Sequence, residues 1–204
     1  MSRGARTRPS TLVGAWVGNG LVTNLGDFES IATTTVDSGG AATVTFSSIP
    51  ATYKHLQVRC LMRSANASTD RASLALSYNG DTGTNYVSHY ILGDGSSSLA
   101  GSSTGRGAAN NYMGGLSNVP AALASASIFG VAIIDILDYT DTNKYKTART
   151  LTGQDQNGSS GRVQLTSGLW LSSSAITSVT LQVNTEFTGN FVQYSSFALY
   201  GIKG

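Results

Sequence analysis

The sequence predicts an all-β chain: a two-sheet antiparallel sandwich, jelly-roll-like, preceded by an extended N-terminal arm. Three observations lead there. With 24 glycines, three prolines and 12% charged residues, the composition favours strands joined by small-residue turns over helices. Several segments alternate apolar and polar residues with a period of two, most cleanly His55 to Arg63. Turn signals separate roughly eight to ten such segments, the punctuation expected of a sandwich. No repeat of solenoid or propeller period interrupts them. Residues 1–26 form the arm in this reading and 27–204 the sandwich domain.

The arm carries Arg3, Arg6 and Arg8, no acidic residue, and isolated apolar groups such as Leu12, Val13, Trp16, Val17 and Leu21. Its glycines weaken any helix, and an unpaired segment with this much apolar surface is expected to lie on something. It therefore reads as a docking arm, with Arg3, Arg6, Arg8 and Trp16 as its contacts. The basic start followed by Thr11 to Val22 imitates a secretion signal, but Gly14, Gly18, Asn19 and Gly20 break the apolar part.

Strands begin at Phe28. Phe28 to Val36 and Ala42 to Ser48 flank Asp37-Ser38-Gly39-Gly40-Ala41, a hairpin signal, and Pro50 ends the second segment. In His55 to Arg63 the inward set is Leu56, Val58, Cys60 and Met62, which makes Cys60 a buried small apolar group rather than a nucleophile. Leu74, Leu76 and Tyr78 mark the next strand; Asn85 to Leu92 follows, with His89 on the side of Val87 and Ile91 and read as a hydrogen-bonded core residue. Gly93 to Gly115 is low in complexity and is expected to be a long surface loop, a partner or receptor contact through Asp94, Arg106, Asn110 and Tyr112. Asn118, Pro120 and the alanines to Ala124 suit a turn or two of helix.

Ser127 to Leu151 is the centre of the chain. Its first part is apolar at both parities, which predicts a strand dry on both faces, and Tyr139 to Asn143 turns it into a returning strand from Lys144. A second dry face calls for a neighbouring subunit, so Ile128, Ile134 and Ile136 are the predicted oligomer contacts, with a homotrimer as the expected symmetry. Asp135 and Asp138 are expected near Lys144, Lys146 and Arg149. Arg162 to Leu171, Ile176 to Val183, Phe191 to Tyr194 and Phe197 to Ile202 complete the strands.

Chemistry is sparse. A net charge of +2 with scattered basic residues argues against nucleic acid. One cysteine excludes an internal disulfide, and no apolar run approaches the ~18–20 residues of a membrane span. His55, His89 and Asp135 among many serines do not make a hydrolase without a Gly-x-Ser-x-Gly elbow. Two separated histidines and one cysteine do not space a zinc site, and the loops at Asn79 to Asn85 and Asp138 to Asn143 do not fit a helix-loop-helix calcium site. The glycine-rich stretches lack the Lys-Ser/Thr ending of a phosphate loop. No enzyme activity, cofactor or metal is expected.

In order along the chain, FESIATTTV, VTFSSIPATYKHLQVRC, YNGDTGTNYVSHY, SIFGVAIIDILDYTDTNKYKT and SSFALYGIKG resemble segments of a β-sandwich domain of tailed-bacteriophage structural proteins, found in tail fibres and minor tail proteins. The resemblance spans Phe28 to Gly204 and implies a non-enzymatic virion component, assembled in the host cytoplasm and held by other virion proteins. The chain has no coiled coil or collagen-like repeat, which does not suit a long shaft. A tail fibre, tip or adaptor piece is the leading expectation; a capsid decoration protein and a carbohydrate-binding sandwich that meets a host-surface glycan, with exposed Tyr86 and Tyr90, are the alternatives.

Overall fold

The structure, a computed structural model, describes residues 27–102, 112–156, 160–183 and 189–204, and every regular element among them is a strand. Twelve strands are present: β1 (Phe28–Thr35), β2 (Thr43–Phe46), β3 (His55–Met62), β4 (Arg71–Tyr78), β5 (Tyr86–Gly93), β6 (Ser98–Ser102), β7 (Met113–Pro120), β8 (Gly130–Leu137), β9 (Lys146–Asp155), β10 (Gly161–Trp170), β11 (Val179–Val183) and β12 (Ser196–Ile202). They form an eight-stranded sheet, ordered β1-β12-β3-β8-β9-β10-β5-β6, and a four-stranded sheet, ordered β2-β11-β4-β7, with neighbouring strands antiparallel throughout.

The topology is that of a jelly roll with two additions. The quartet β1-β12-β3-β8 faces β2-β11-β4-β7, and the chain alternates between sheets from β1 to β4 and again from β10 to β12. Such alternation is how two Greek keys wind into one sandwich. The additions are the pair β5–β6, inserted before β7, and β9–β10, inserted after β8; both widen the large sheet beyond β8.

The core follows from period-two patterning. Leu56, Val58, Cys60 and Met62 of β3 point inward, as their alternation predicts, and meet Leu74, Leu76 and Tyr78 of β4, Val179 and Leu181 of β11, and Phe197 and Leu199 of β12. Burial of each such side chain contributes about 1.5–3 kcal/mol of transfer free energy. Phe191 and Phe197 meet edge to face, with ring centroids 4.8 Å apart. Tyr78, Tyr86 and Trp170 form a second aromatic group, and the Trp170 indole donates to Asp81 Oδ2 at 2.7 Å.

The widened part of the large sheet has only one strand over it. β7, the edge of the small sheet, lies against β5, β9 and β10, and Gly168 of β10 gives Met113 of β7 room to sit down. Beneath it the inward residues are polar: Ser88, Thr150, Thr152, Gln164 and Thr166 are buried. Ser88 Oγ donates to Gly114 O at 2.8 Å, Asn118 Nδ2 to Thr152 Oγ1 at 2.9 Å and Gln164 Nε2 to Thr166 Oγ1 at 2.9 Å, as buried polar groups require.

Several expectations are corrected. The turn at Asp37–Gly40 exists, with Gly40 at φ 71° and its amide donating to Asp37 O, but β1 and β2 lie in different sheets and do not form a hairpin. Gly93 to Gly115 is not one loop: its apolar pair Leu99 and Ala100 is enough to let β6 pair with β5, and β7 starts within it. Asn118 to Pro120 finish β7 instead of starting a helix, because β4 offers a ladder to join. Phe191 makes only isolated bridges, to Ala41 and Ser64. His89 is not a core residue, since β5 turns Tyr86, Ser88 and Leu92 inward and leaves His89 and Ile91 outside. The predicted arm contacts Arg3, Arg6, Arg8 and Trp16 lie outside the described residues.

Candidate functional site

The two-sided strand of the sequence reading is β8, and only one of its sides is dry. Ala132, Ile134 and Ile136 point into the sandwich and are buried, while Val131, Ile133 and Leu137 alternate with them and are exposed. Ile134 and Ile136 are therefore core residues of this chain and not oligomer contacts; both have 0% exposure. Ile128 precedes the strand and is half-buried. The available surface is the opposite parity.

Cross-strand register extends that parity into a continuous aliphatic face. Ile133 stands beside Leu151, Leu151 beside Leu165, Leu165 beside Ile91, and Ile91 beside Ala100. A second row runs Leu61, Val131, Gly153, Val163 and Gly93. Val163 and Ile91 are the most open, at 60% and 58% exposure. Gly153 and Gly93 contribute no side chain, and depressions of about 450 Å³ and 530 Å³ lie in the face, the first lined by Val131, Ile133, Gly153 and Val163, the second by Ile91, Gly93, Leu151 and Leu165. The widened sheet thus largely inverts the usual pattern: Thr150, Thr152, Thr166 and Gln164 are inside, and Ile91, Leu151, Val163 and Leu165 are outside.

Polar groups border the face on one side. The next row runs Gln57, Asp135, Arg149, Ser167, His89. Gln57 Nε2 donates to Asp135 Oδ1 at 2.7 Å, and Arg59 Nε donates to Gln57 Oε1 at 2.9 Å. The Arg59 guanidinium also lies over Phe28 and Tyr200, 5.2 and 5.4 Å from the ring centroids, and those rings stack on each other. Asp135 stands opposite Arg149 in the β8–β9 register, as expected.

At the β8–β9 turn Asp138 accepts hydrogen bonds from the Lys144 ammonium and lies 3.2 Å from Lys54 Nζ. These partners, Lys144 first, lower its carboxyl to about 2. His55 Nδ1 accepts the Asp138 amide at 2.9 Å, which leaves that nitrogen no role as a base. Lys146 departs from the expected ion pair: its side chain is buried, and its ammonium donates to the carbonyls of Asp141, Lys144 and Ser173. Burial lowers its pKa.

The remaining predicted residues do not converge. Asp94 caps the β5–β6 turn by accepting from the amides of Ser96 and Ser97, which lowers its pKa. Tyr112 precedes β7 and is half-buried; Arg106 and Asn110 lie outside the described residues. The Cys60 thiol is pushed up by burial and is not a nucleophile. Among the described residues no three His, Cys, Asp or Glu side chains group as a metal site. What sequence reasoning missed is Leu61, Ile91, Leu151, Val163 and Leu165. Their signal is parity: in Gln164-Leu165-Thr166 and Thr150-Leu151-Thr152 the apolar residue alternates with polar ones, but alternation alone does not say which parity faces the second sheet. Comparison with family models, with characterised proteins and with solved structures finds no match to this chain.

Proposed function

We propose that this chain is a non-enzymatic structural protein of a tailed-bacteriophage particle. It serves as a tail fibre, tip or adaptor piece, assembles as a homotrimer, and attaches to other virion proteins through residues 1–26. One observation carries the reading: a closed jelly roll whose widened sheet keeps a broad aliphatic face outside, beside a polar interior. Apolar faces of this extent mark contact surfaces, because single-chain proteins seldom leave them in water. The ordered segments from FESIATTTV to SSFALYGIKG, which resemble those of phage tail domains, supply the kind of assembly.

Quantitative mass spectrometry of gradient-purified particles tests this. Peptides of residues 28–204 are expected in a fixed ratio to tail proteins, at a copy number divisible by three. Absence from the particles overturns the reading; a copy number matching the major capsid protein replaces the tail role with decoration of the head.

A further inference from the structure

We propose that the outer face of β8, β9, β10 and β5 is buried by another copy of this chain, with Leu151, Val163, Leu165 and Ile91 at its centre. The proposal rests on the reading of the protein as an oligomeric building block and names the surface that builds it.

Three observations select a second copy over other occupants. The first is polarity. Ser88, Thr150, Thr152, Gln164 and Thr166 turn inward from β5, β9 and β10, while Ile91, Leu151, Val163 and Leu165 of those strands stand at the opposite parity, outside this chain's own core. Their burial waits for something outside the sandwich.

The second is extent. From β3 to β5 the two rows cross five strands, on the order of 19 Å at ~4.8 Å per strand, and the polar row beside them brings the face to about 14 Å along the strands. With the polar row beside them and the flank at Arg59, Phe28 and Tyr200, the face approaches the roughly 800 Å² per partner of a stable interface. The apolar centre with a hydrogen-bonding border is the usual anatomy of such contacts.

The third is charge. The border carries both signs, Asp135 beside Arg149 and Arg59, so a second copy brings a carboxylate to an arginine. The arm of residues 1–26 has Arg3, Arg6 and Arg8 and no acid, and it would bring like charge to Arg59 and Arg149.

The test uses the full chain in sedimentation velocity at micromolar concentration. The wild type is expected at a multiple of 21.1 kDa. Leu165→Asp and Val163→Asp are expected to run as single chains, with dissociation constants weakened by on the order of a hundredfold. Leu123→Asp, at an exposed site off the face, is expected to leave the mass unchanged. Val163→Thr keeps the strand's branched shape and gives the same direction should an aspartate prevent folding. A monomeric wild type overturns the proposal, as does an oligomer indifferent to every substitution on the face; either would leave the arm or a different protein as the occupant. Particle association is scored separately. A chain that oligomerises through this face but is missing from particles overturns the virion reading alone, and a monomer found in particles overturns this inference alone.

Discussion

Asp138 and Lys146 hold the β8–β9 turn by opposite means. Asp138 is a half-buried carboxylate whose pKa is lowered to about 2 by Lys144 and Lys54. A carboxylate with a depressed folded pKa stabilises the fold above its ordinary value near 3.8, and that contribution disappears as pH falls toward 2. An NMR titration is expected to give Asp138 a midpoint near 2, and Asp138→Asn is expected to flatten the stability profile between those limits; a midpoint near 3.8 contradicts the geometry. Lys146 spends all three ammonium protons on carbonyls of the turn and of Ser173. Lys146→Met leaves those acceptors without a donor, and a loss of about 1–3 kcal/mol in urea unfolding is expected. Because its folded pKa is depressed, Lys146 favours the folded state increasingly as pH rises from that lowered value toward 10.5. Tyrosines work against it. Burial raises Tyr86 to about 12, and Tyr78 is raised further, so the unfolded chain loses protons above pH 10 that the folded chain keeps, and stability falls there. The Tyr78 hydroxyl has no hydrogen-bond partner among the described residues. Tyr78→Phe is therefore expected to raise stability by ~1 kcal/mol at neutral pH and to weaken the alkaline loss, both read from urea midpoints.

At the scale of elements, the crossing from β7 to β8 brings two backbones into close approach. A Cβ at Gly130 would stand 2.2 Å from the Asn118 carbonyl oxygen and 2.7 Å from the Pro120 ring, so the backbone of β7 must shift to admit it. Gly130→Ala is expected to cost at least ~1–3 kcal/mol, while Gly80→Ala, with open space around it, would report only the strain of its positive φ. Unchanged stability of Gly130→Ala would mean that β7 does not cross β8 this closely. The strands themselves were legible where one face was uniformly apolar, as in Leu56, Val58, Cys60 and Met62. They were misjudged where the two parities competed. Val131 and Ile133 are as hydrophobic as Ile134 and Ile136, and nothing local says which set the small sheet covers. That is decided by β7 lying across β5, β9 and β10, a contact between segments twenty or more residues apart in sequence. The false hairpin at Asp37–Gly40 has the same origin: turn chemistry reports a reversal, not the sheet that receives the next strand.

For the whole molecule, the fold class was readable from composition and period because a chain with few helix-compatible stretches has few ways to close. The jelly-roll order was partly so, since it depends on which strands pair across the sequence, β1 with β12 and β2 with β11. The predicted contacts Ile134 and Ile136 of β8 are core residues, and the surface proposed in their place is centred on β9, β10 and β5. The proposed surface of Leu151, Val163, Leu165 and Ile91 changes which residues are expected to carry assembly, and beside it stands the proposal of an assembling, non-enzymatic particle protein. Immunogold electron microscopy of purified particles, with an antibody against residues 28–204, tests it most directly. Gold is expected at the tail end; intact particles that carry no label would contradict the virion role, and gold spread over the head would contradict the tail assignment.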